Sequence, residues 1–324
     1  MRYSASEKME IIRTVEDSNL GIGRTLEQIG IARATFYNWY DRYLASGIEG
    51  LEDGKPAPRA VWNKVPDAIR QQLLELALDE PDLSPRELAV RFTEQHRYFI
   101  CESTAHRILK AHGLITSPAW IVMKAADKFQ NPTTAINQLW QTDFTYLKVT
   151  GWGWYYLSTV LDDYSRYIVS WRLCTGMAAS DVSATLADAL HNAGLSPKQR
   201  PRLLSDNGPC YVSSELKGWL EEHDMTHTRG RPYHPMTQGK IERWHRSLKN
   251  RILLEHYYLP GDLERQITEF INHYNTRRYH ESLKNLTPED VWLGRGEAIL
   301  QQRQKLKLKT LRQRKFLHMQ QRAA

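Results

Sequence analysis

The amino-acid sequence predicts a multidomain protein in which all-α helix-turn-helix units precede a mixed α/β domain. Two observations support this prediction. Apolar residues recur at helical spacing up to about residue 114, and from about residue 139 they follow the alternation of β-strands. The 324 residues are enough for two or three domains of ordinary size.

The composition, with 41% hydrophobic and 25% charged residues, is typical of a soluble globular protein. Because the sequence lacks a run of about 18 apolar residues, we expect no membrane association, and its start predicts no secretory signal. Three cysteines without a CxxC pair favour a reducing, cytoplasmic location.

The formal net charge of +7 is explained by residues 298–324, which hold eight basic residues and no acidic ones. They predict a basic C-terminal tail that binds a polyanion.

Residues 1–50 have the pattern of helices separated by short turns. Helices are predicted over residues 6–18, 25–29 and 32–46, with Ser6 and Thr25 as possible N-caps and Gly30 in the second turn. A short helix, a glycine turn and a longer helix are typical of the helix-turn-helix motif, whose last helix enters the DNA major groove. The side chains expected to contact DNA are Arg33, Thr35, Tyr37 and Asn38. The expected core residues are Leu26, Ile29, Ile31, Phe36, Trp39 and Tyr43. A plain three-helix bundle that binds protein is the alternative.

A linker rich in glycine, proline and charge is predicted over residues 51–65. Residues 66–125 predict a second unit of the helix-turn-helix or winged-helix type. One of its helices begins at Ser84-Pro85-Arg86-Glu87, a capping box with proline at the first helical position. A later helix presents Thr104 and Arg107 as candidate contacts to DNA phosphates or bases.

The remaining sequence predicts a mixed five-stranded sheet with helices on its faces. Strands are predicted over residues 141–149, 154–161, 167–173, 202–205 and 226–229. Short turns join the first three strands, which is typical of antiparallel pairing, whereas helices separate the last two. Helices are predicted over residues 180–193, 213–223, 238–255 and 263–275.

Three acidic residues occupy positions at which a metal site can form. Asp143 lies within the first predicted strand, Asp206 follows the fourth, and Glu242 lies on the helix over residues 238–255. The crevice beyond the carboxyl ends of strands is where α/β sheets bind ligands. Mg²⁺ prefers oxygen ligands and is usually held by few carboxylates. Taken singly, each residue also has a simpler interpretation, as a turn former or a solvated helix residue.

Three sequence blocks carry these carboxylates. The blocks are Thr142-Asp143-Phe144-Thr145-Tyr146, Ser205-Asp206-Asn207-Gly208-Pro209 and His234-Pro235-Met236-Thr237-Gln238-Gly239-Lys240-Ile241-Glu242-Arg243. They resemble the signature blocks of the retroviral-integrase superfamily and, more narrowly, of bacterial insertion-sequence transposases of the DDE type. The 35 residues between Asp206 and Glu242 match the spacing of that family. The resemblance is strong over residues 137–293, where 274–283 and 287–292 match the family's usual ending, and looser before it.

The resemblance implies an RNase H-like catalytic core over residues 137–297. It implies 3′-end cleavage followed by strand transfer, with two Mg²⁺ or Mn²⁺ ions held by Asp143, Asp206 and Glu242. It also implies double-stranded DNA as the partner, both element ends and target, and a homo-oligomer on the DNA of the bacterial nucleoid. No small-molecule substrate is expected.

Two basic residues follow Glu242 on the predicted helix. Lys249 matches a family position near the substrate phosphates, and Arg246 is a weaker candidate for the same role because it shares a helix face with Glu242. Two departures from the family are visible. The zinc-binding N-terminal domain of retroviral integrases is replaced by helix-turn-helix units, and Met236 stands where relatives often have a polar residue.

Two other functions stay open at this stage. A DNA-binding regulator with an inactive nuclease-like domain does not need all three carboxylates, and a nuclease without joining activity does not need two DNA-recognition units.

On a 3.6-residue period the core face of the helix that carries Glu242 comprises Ile241, Trp244, Leu248 and Ile252. Trp152 and Trp154 are expected to pack in the sheet and core rather than to stack on bases.

Overall fold

The computed structural model describes residues 3–18, 20–52, 62–115, 133–230, 238–252 and 259–323. The chain divides into two compact units, Met1–Trp62 and Asn63–Ala324. Among the helices of these ranges we find none with the length and apolar character that a membrane span requires. Most of the predicted linker, the end of the second helical unit and residues 234–237 of the third sequence block lie outside the described residues.

The helices of the first unit are α1 (Ala5–Glu16), α2 (Ile22–Ile29) and α3 (Arg33–Ser46). Ser4 caps α1 instead of Ser6, because Glu7 stands three residues after Ser4 and completes a capping box with it. The predicted cap of α2 is also wrong. Thr25 is buried within that helix, and its hydroxyl lies 2.9 Å from the hydroxyl of Ser18.

Gly30 makes the turn between α2 and α3. It adopts the left-handed conformation with φ 76°, which a residue without a Cβ reaches most easily. Leu26 and Phe36 are buried on either side of this turn. Ile29, predicted to be in the core, is 37% exposed, because the chain turns directly after it and Ile31 fills the core instead. The arrangement is the helix-turn-helix that the sequence predicts.

The second unit starts with the helices α4 (Asp67–Asp79), α5 (Pro85–His96) and α6 (Glu102–Ala111). α5 begins as predicted, since the Ser84 side chain accepts from the backbone N–H of Glu87 and the Glu87 carboxylate accepts from the N–H of Ser84. Leu73, Phe92 and Ile100 are fully buried among these helices. They give this part of the unit a small apolar core of its own.

The sheet that follows has the order β3-β2-β1-β4-β5. The strands are β1 (Leu139–Val149), β2 (Gly153–Asp162), β3 (Ile168–Cys174), β4 (Arg202–Ser205) and β5 (His227–Arg229). β1, β2 and β3 pair antiparallel, whereas β4 runs parallel to β1, and β5 runs parallel to β4. This is the mixed five-stranded sheet of the predicted RNase H-like core.

Helices cover both faces of the sheet. On one face α7 (Ala179–Asn192) and α9 (Ser214–Glu222) pack on Trp140 and Val160. On the other, α10 (Gly239–Ile252) and α11 (Pro260–Thr276) pack on Leu147 and Leu157. The predicted core face of α10 is confirmed, since its four residues are 0–2% exposed. Two short helices, α8 (Pro209–Val212) and α12 (Pro288–Trp292), were not predicted.

The predicted basic tail is a helix, α13 (Gly296–Ala323). Two of its arginines bind other parts of the second unit. Arg303 forms an ion pair with Glu94 of α5 at 2.5 Å. Arg314, which is 5% exposed, donates to the Tyr98 hydroxyl and to the Phe99 carbonyl. Part of the positive charge of this segment therefore joins α13 to the second helical unit and does not face solvent.

Candidate active site

Asp143 and Asp206 lie at the same level of neighbouring parallel strands. Gln141 of β1 pairs with Leu204 of β4, so two further residues along each strand lead to Asp143 and Asp206. Paired parallel strands are about 4.8 Å apart. Both residues therefore lie where β4 ends, at the carboxyl edge of this strand pair.

The loop after β4 holds Asp206 in place. The Asp206 carboxylate accepts from the backbone N–H of Gly208 at 2.9 Å, and the Asn207 amide donates to the Gly230 carbonyl beyond β5. Burial raises the pKa of Tyr211 well above its ordinary value, and the negative charges of Asp143 and Asp206 raise it further. Both carboxylates thus act on the same buried hydroxyl, which indicates a shared negative potential at this edge.

The first turn of α10 is attached to β1 by two amide side chains. The Gln238 amide lies 3.5 Å from the carbonyls of Thr142 and Leu204, one on each of the two strands that carry the aspartates. The backbone N–H of Ile241 donates to the Gln141 side chain at 3.2 Å. Glu242 follows Ile241 directly and is exposed. The start of α10 is therefore fixed over the strand pair of Asp143 and Asp206.

A buried ion pair completes this attachment. Lys240 lies 2.5 Å from Asp163, at side-chain exposures of 13% and 6%. Asp163 also accepts from Gln141 at 2.7 Å and from Thr133 at 2.6 Å. Burial by itself would raise the pKa of Asp163, but the hydrogen bonds from Lys240 and Thr133 outweigh it and hold this pKa below its ordinary value. The helix of Glu242 and the strand of Asp143 thus share one charged network.

His245 contacts one of the predicted metal ligands. Its Nδ1 lies 3.5 Å from the Asp143 carboxylate, and its side chain is 9% exposed. Residues three apart in a helix lie on the same side, so His245 points from α10 in nearly the direction of Glu242. The prediction missed His245 together with Gln141, Asp163 and Lys240. The one signal for His245 in the sequence was its position three residues after Glu242 on the same predicted helix.

The three predicted carboxylates lie around one edge of the sheet but are not closed into a compact ligand set. Within the described ranges no group of three or more His, Cys, Asp and Glu side chains has the proximity of a metal-binding cluster. Asp206 and Glu242 form no ion pair with a lysine or arginine of these ranges. Arg246 is exposed. Oxygen ligands without a protein counter-charge are a donor set that fits a divalent cation.

Lys249 lies against an exposed aromatic surface. Its ammonium is 4.0 Å from the ring centroid of Tyr146, and the Tyr146 ring meets the Trp154 ring at 5.6 Å. Lys148, which pairs with Trp154 across the β1–β2 hairpin, has its ammonium 5.5 Å from the Trp154 ring. We call Tyr146, Lys148, Trp152, Trp154 and Lys249 the hairpin cluster.

The structure corrects the prediction that Trp152 and Trp154 pack in the core. They are 57% and 51% exposed, and Tyr146 is 58% exposed. Strand alternation explains this, because Leu147 and Val149 of the same hairpin fill the inner face and leave the intervening side chains outside. Large exposed aromatic side chains next to lysines are typical of surfaces that bind single-stranded nucleic acid.

The side chains predicted to contact DNA in the helical units are accessible. In α3 the exposed residues are Arg33, Thr35, Tyr37 and Asn38. In α6 Arg107 is exposed and donates to Ser103 and to the partly buried Thr104. Arg33 and Thr35 lie in the first turn of α3, and Thr104 lies in the first turn of α6. The first turns of a recognition helix are where helix-turn-helix proteins contact base edges.

Comparison with protein families places these elements in known domains. Residues 133–235 and 223–288 match models described as integrase core domain. Residues 7–59 match a helix-turn-helix domain and residues 35–109 a homeodomain-like domain.

Similar proteins include the putative transposase InsK for insertion sequence element IS150 of Escherichia coli K12. It is 30% identical over 156 residues, which are 48% of this chain and 54% of that protein. The Gag-Pro-Pol polyprotein of mouse mammary tumor virus is 27% identical over 249 residues, 72% of this chain and 13% of the polyprotein. The chain thus spans about half of the insertion-sequence relative and a small part of the viral one.

Among solved structures, the magnesium complex of the HTLV-2 integrase catalytic core domain, trimeric form, is similar over 48% of this chain and 97% of that one, at 21% identity and a TM-score of 0.39. The BIV integrase catalytic core domain is similar over 51% and 99%, at 23% identity and the same TM-score. By these comparisons, residues 133–288 of this chain are similar to integrase core domains, and about half of the chain is similar to an insertion-sequence transposase.

Proposed function

We propose that this protein is a transposase that binds the ends of a mobile DNA element, cleaves their 3′ ends and joins them to target DNA. The observation that carries the proposal is the placement of Asp143 and Asp206 at one level of a parallel strand pair, with the Glu242 helix attached to the same two strands. Metal-dependent exchange of phosphodiesters needs metal ligands gathered at one accessible place.

A divalent metal fits this edge. Asp143, Asp206 and Glu242 would hold Mg²⁺ or Mn²⁺, two ions in all, which supply an activated hydroxyl and stabilise the leaving oxygen. His245 contacts Asp143 from α10 and restricts the rotation of that carboxylate. The network of Gln141, Asp163 and Lys240 fixes the helix start from which Glu242 projects.

DNA is proposed as the partner of three surfaces. The start of α3 carries Arg33 and Asn38, which suit base edges in the major groove. α6 offers Arg107 to a second stretch of the duplex. The hairpin cluster, whose Lys249 belongs to the catalytic helix, is proposed to hold the DNA end beside the carboxylates. A homo-oligomer on DNA follows from the need to bring two ends to one joining event.

The test uses the whole protein, Mg²⁺ and labelled element ends. Asp143→Asn, Asp206→Asn and Glu242→Gln keep the side-chain shape and remove ligand charge, so each is expected to abolish cleavage and joining while DNA binding stays within about twofold. Cleavage without joining in the wild-type protein would identify a nuclease, and binding without cleavage would identify a regulator. Metal-dependent joining by any one of the variants would remove that residue from the site.

A further inference from the structure

Tyr279 lies at a junction of three parts of the second unit: the second helical unit (α4–α6), α13, and the sheet with its helices α7–α12, which we call the sheet domain. Tyr279 is 6% exposed and belongs to the segment that follows α11. Its hydroxyl donates to the Glu94 carboxylate of α5 at 2.6 Å, and Arg303 of α13 binds the same carboxylate at 2.5 Å. One carboxylate therefore joins all three parts.

Two guanidinium groups lie over the Tyr279 ring. Arg91 of α5 and Arg303 of α13 are each 5.8 Å from its centroid. A cation at this distance is attracted to an aromatic face, and the attraction is stronger where water is excluded. Burial, and then the hydrogen bond to Glu94, raise the pKa of the Tyr279 hydroxyl, which therefore stays protonated and donates. The ring and its hydroxyl are thus held from α5 and from α13 at once.

Other contacts widen the attachment of the second helical unit. At the start of α5, Arg86 donates to the Asn285 side chain of the sheet domain, and Arg303 donates to the Asn285 carbonyl at 2.9 Å. Three residues after the end of α5, the backbone N–H of Phe99 donates to the Thr310 hydroxyl of α13 at 3.0 Å. The 12 residues of α5 are about 18 Å long. Attachment at both ends of such a length prevents the pivoting that a single contact would allow.

Packing continues from the junction to the two helices proposed to act on DNA. Towards α6, Phe92 of α5 is fully buried in the apolar core that α4, α5 and α6 share. Towards α10, the Tyr274 ring meets the His280 ring at 5.0 Å and the Trp244 ring at 4.7 Å. Trp244 follows Glu242 by two residues on α10. Because packed interiors transmit displacement, α6 and the helix of Glu242 are held at one distance from each other.

We propose that this junction determines which phosphate is cut: α6 binds a stretch of DNA near the element end, and the junction sets the distance from that stretch to the carboxylates. The inference rests on the proposed function. Glu94, Tyr279 and Arg303 are positioning residues in it and act through the placement of α6. Successive phosphates of one strand are about 3.4 Å apart along the duplex axis, so a junction that moves by less than this selects one of them. Domains joined by the chain alone move relative to each other and would cut at several neighbouring phosphates.

The first experiment examines the junction without DNA or metal. Hydrogen exchange of the whole protein is compared for the wild type, Glu94→Gln and Glu80→Gln. Glu80 is a matched control, because its side chain is also 33% exposed but pairs with Arg91 inside the second helical unit. Glu94→Gln is expected to raise exchange roughly tenfold in both α5 and α13, since a hydrogen bond to a charged group stabilises by about that factor. Glu80→Gln should leave α13 unchanged. Unchanged exchange of α13 in Glu94→Gln would overturn the junction.

The second experiment maps cuts at nucleotide resolution on labelled element ends with Mg²⁺. The stretch bound by α6 is the part of the wild-type footprint that Arg107→Ala loses. Base pairs inserted between this stretch and the end should move the wild-type cut by the length of the insertion. Glu94→Gln should raise the share of cuts at neighbouring phosphates about tenfold, and Glu80→Gln should keep the wild-type pattern. Tyr279→Phe, which keeps the ring and removes the hydroxyl, repeats the test if Glu94→Gln does not fold.

The pattern of cuts separates positioning from folding, because a loss of stability lowers the yield at every position without shifting the cuts. A cut that ignores the insertion, a footprint that Arg107→Ala does not change, or a wild-type pattern in both Glu94→Gln and Tyr279→Phe would overturn this inference and leave the transposase proposal standing. A wild-type protein that binds element ends without cutting them would overturn the transposase proposal, and this inference with it.

Discussion

Replacing Asp163 by asparagine tests whether the buried network fixes α10, the helix that carries Glu242. The substitution keeps the side-chain shape and removes the charge that faces Lys240 at 2.5 Å, where the two side chains are 6% and 13% exposed. Removing one partner of a buried ion pair costs about 3–5 kcal/mol, because the remaining charge stays buried without compensation. For the second unit this corresponds to a decrease in Tm of roughly 6–20 °C.

The matched control is Asp188→Asn. Asp188 pairs with Arg172 at 2.6 Å, almost the same distance, but these side chains are 42% and 48% exposed. An exposed pair contributes less than about 1 kcal/mol. Urea unfolding gives the free energy of unfolding of both variants, and the joining assay gives their activity. If Asp163→Asn loses no more stability than Asp188→Asn, or joins DNA at the wild-type rate, the network does not fix α10.

The same pair predicts a pH dependence. Because the folded pKa of Asp163 lies below its unfolded value of about 3.9, this carboxylate stabilises the fold above that pH, and the contribution is lost as pH falls through the folded pKa. The stability difference between wild type and Asp163→Asn should therefore be constant from pH 7 to about pH 5 and narrow below pH 4. A difference that does not change down to pH 3 would contradict this assignment.

Three further substitutions probe the hairpin cluster and the C-terminal helix. Lys249→Ala is expected to weaken binding of the DNA end and to slow joining, with little change in Tm. Lys217→Ala, on an exposed face of α9, is the control and should change neither binding nor joining. Unchanged joining by Lys249→Ala would remove Lys249 from the DNA path. Trp154→Ala should weaken binding of a 20-nucleotide single strand roughly 5- to 150-fold if a base stacks on this ring. Phe316→Ala, which also changes an exposed aromatic residue, serves as the control. Equal affinities of Trp154→Ala and the wild-type protein would leave the hairpin cluster without a role in DNA binding. Arg314→Met should lower the free energy of unfolding by roughly 2–4 kcal/mol and increase hydrogen exchange along α13, because it removes the hydrogen bonds to Asn63, Tyr98 and Phe99. Unchanged exchange would show that apolar packing alone holds the helix.

Much of the fold could be predicted because its signals are local. The turn at Gly30, the capping box at Ser84 and the apolar face of α10 each depend on residues within a few positions of one another. Asp143, Asp206 and Glu242 were predicted in the same way, from short blocks and their spacing. The predicted N-caps Ser6 and Thr25 were wrong. Ser4 caps α1 because it forms a capping box with Glu7, and the Thr25 hydroxyl contacts the Ser18 hydroxyl from within α2.

Tertiary structure decided what lies around these elements. Asp163 and Lys240 are 77 residues apart in the chain, and only the packing of α10 on the sheet makes them partners. The exposure of Trp154 depends on which side of the hairpin the helices cover, and the burial of Arg314 depends on where α13 folds back. Local sequence specifies helices, turns and motif residues because their interactions are short in range. Long-range contacts decide which charges are buried and paired, because burial is a property of the packed chain.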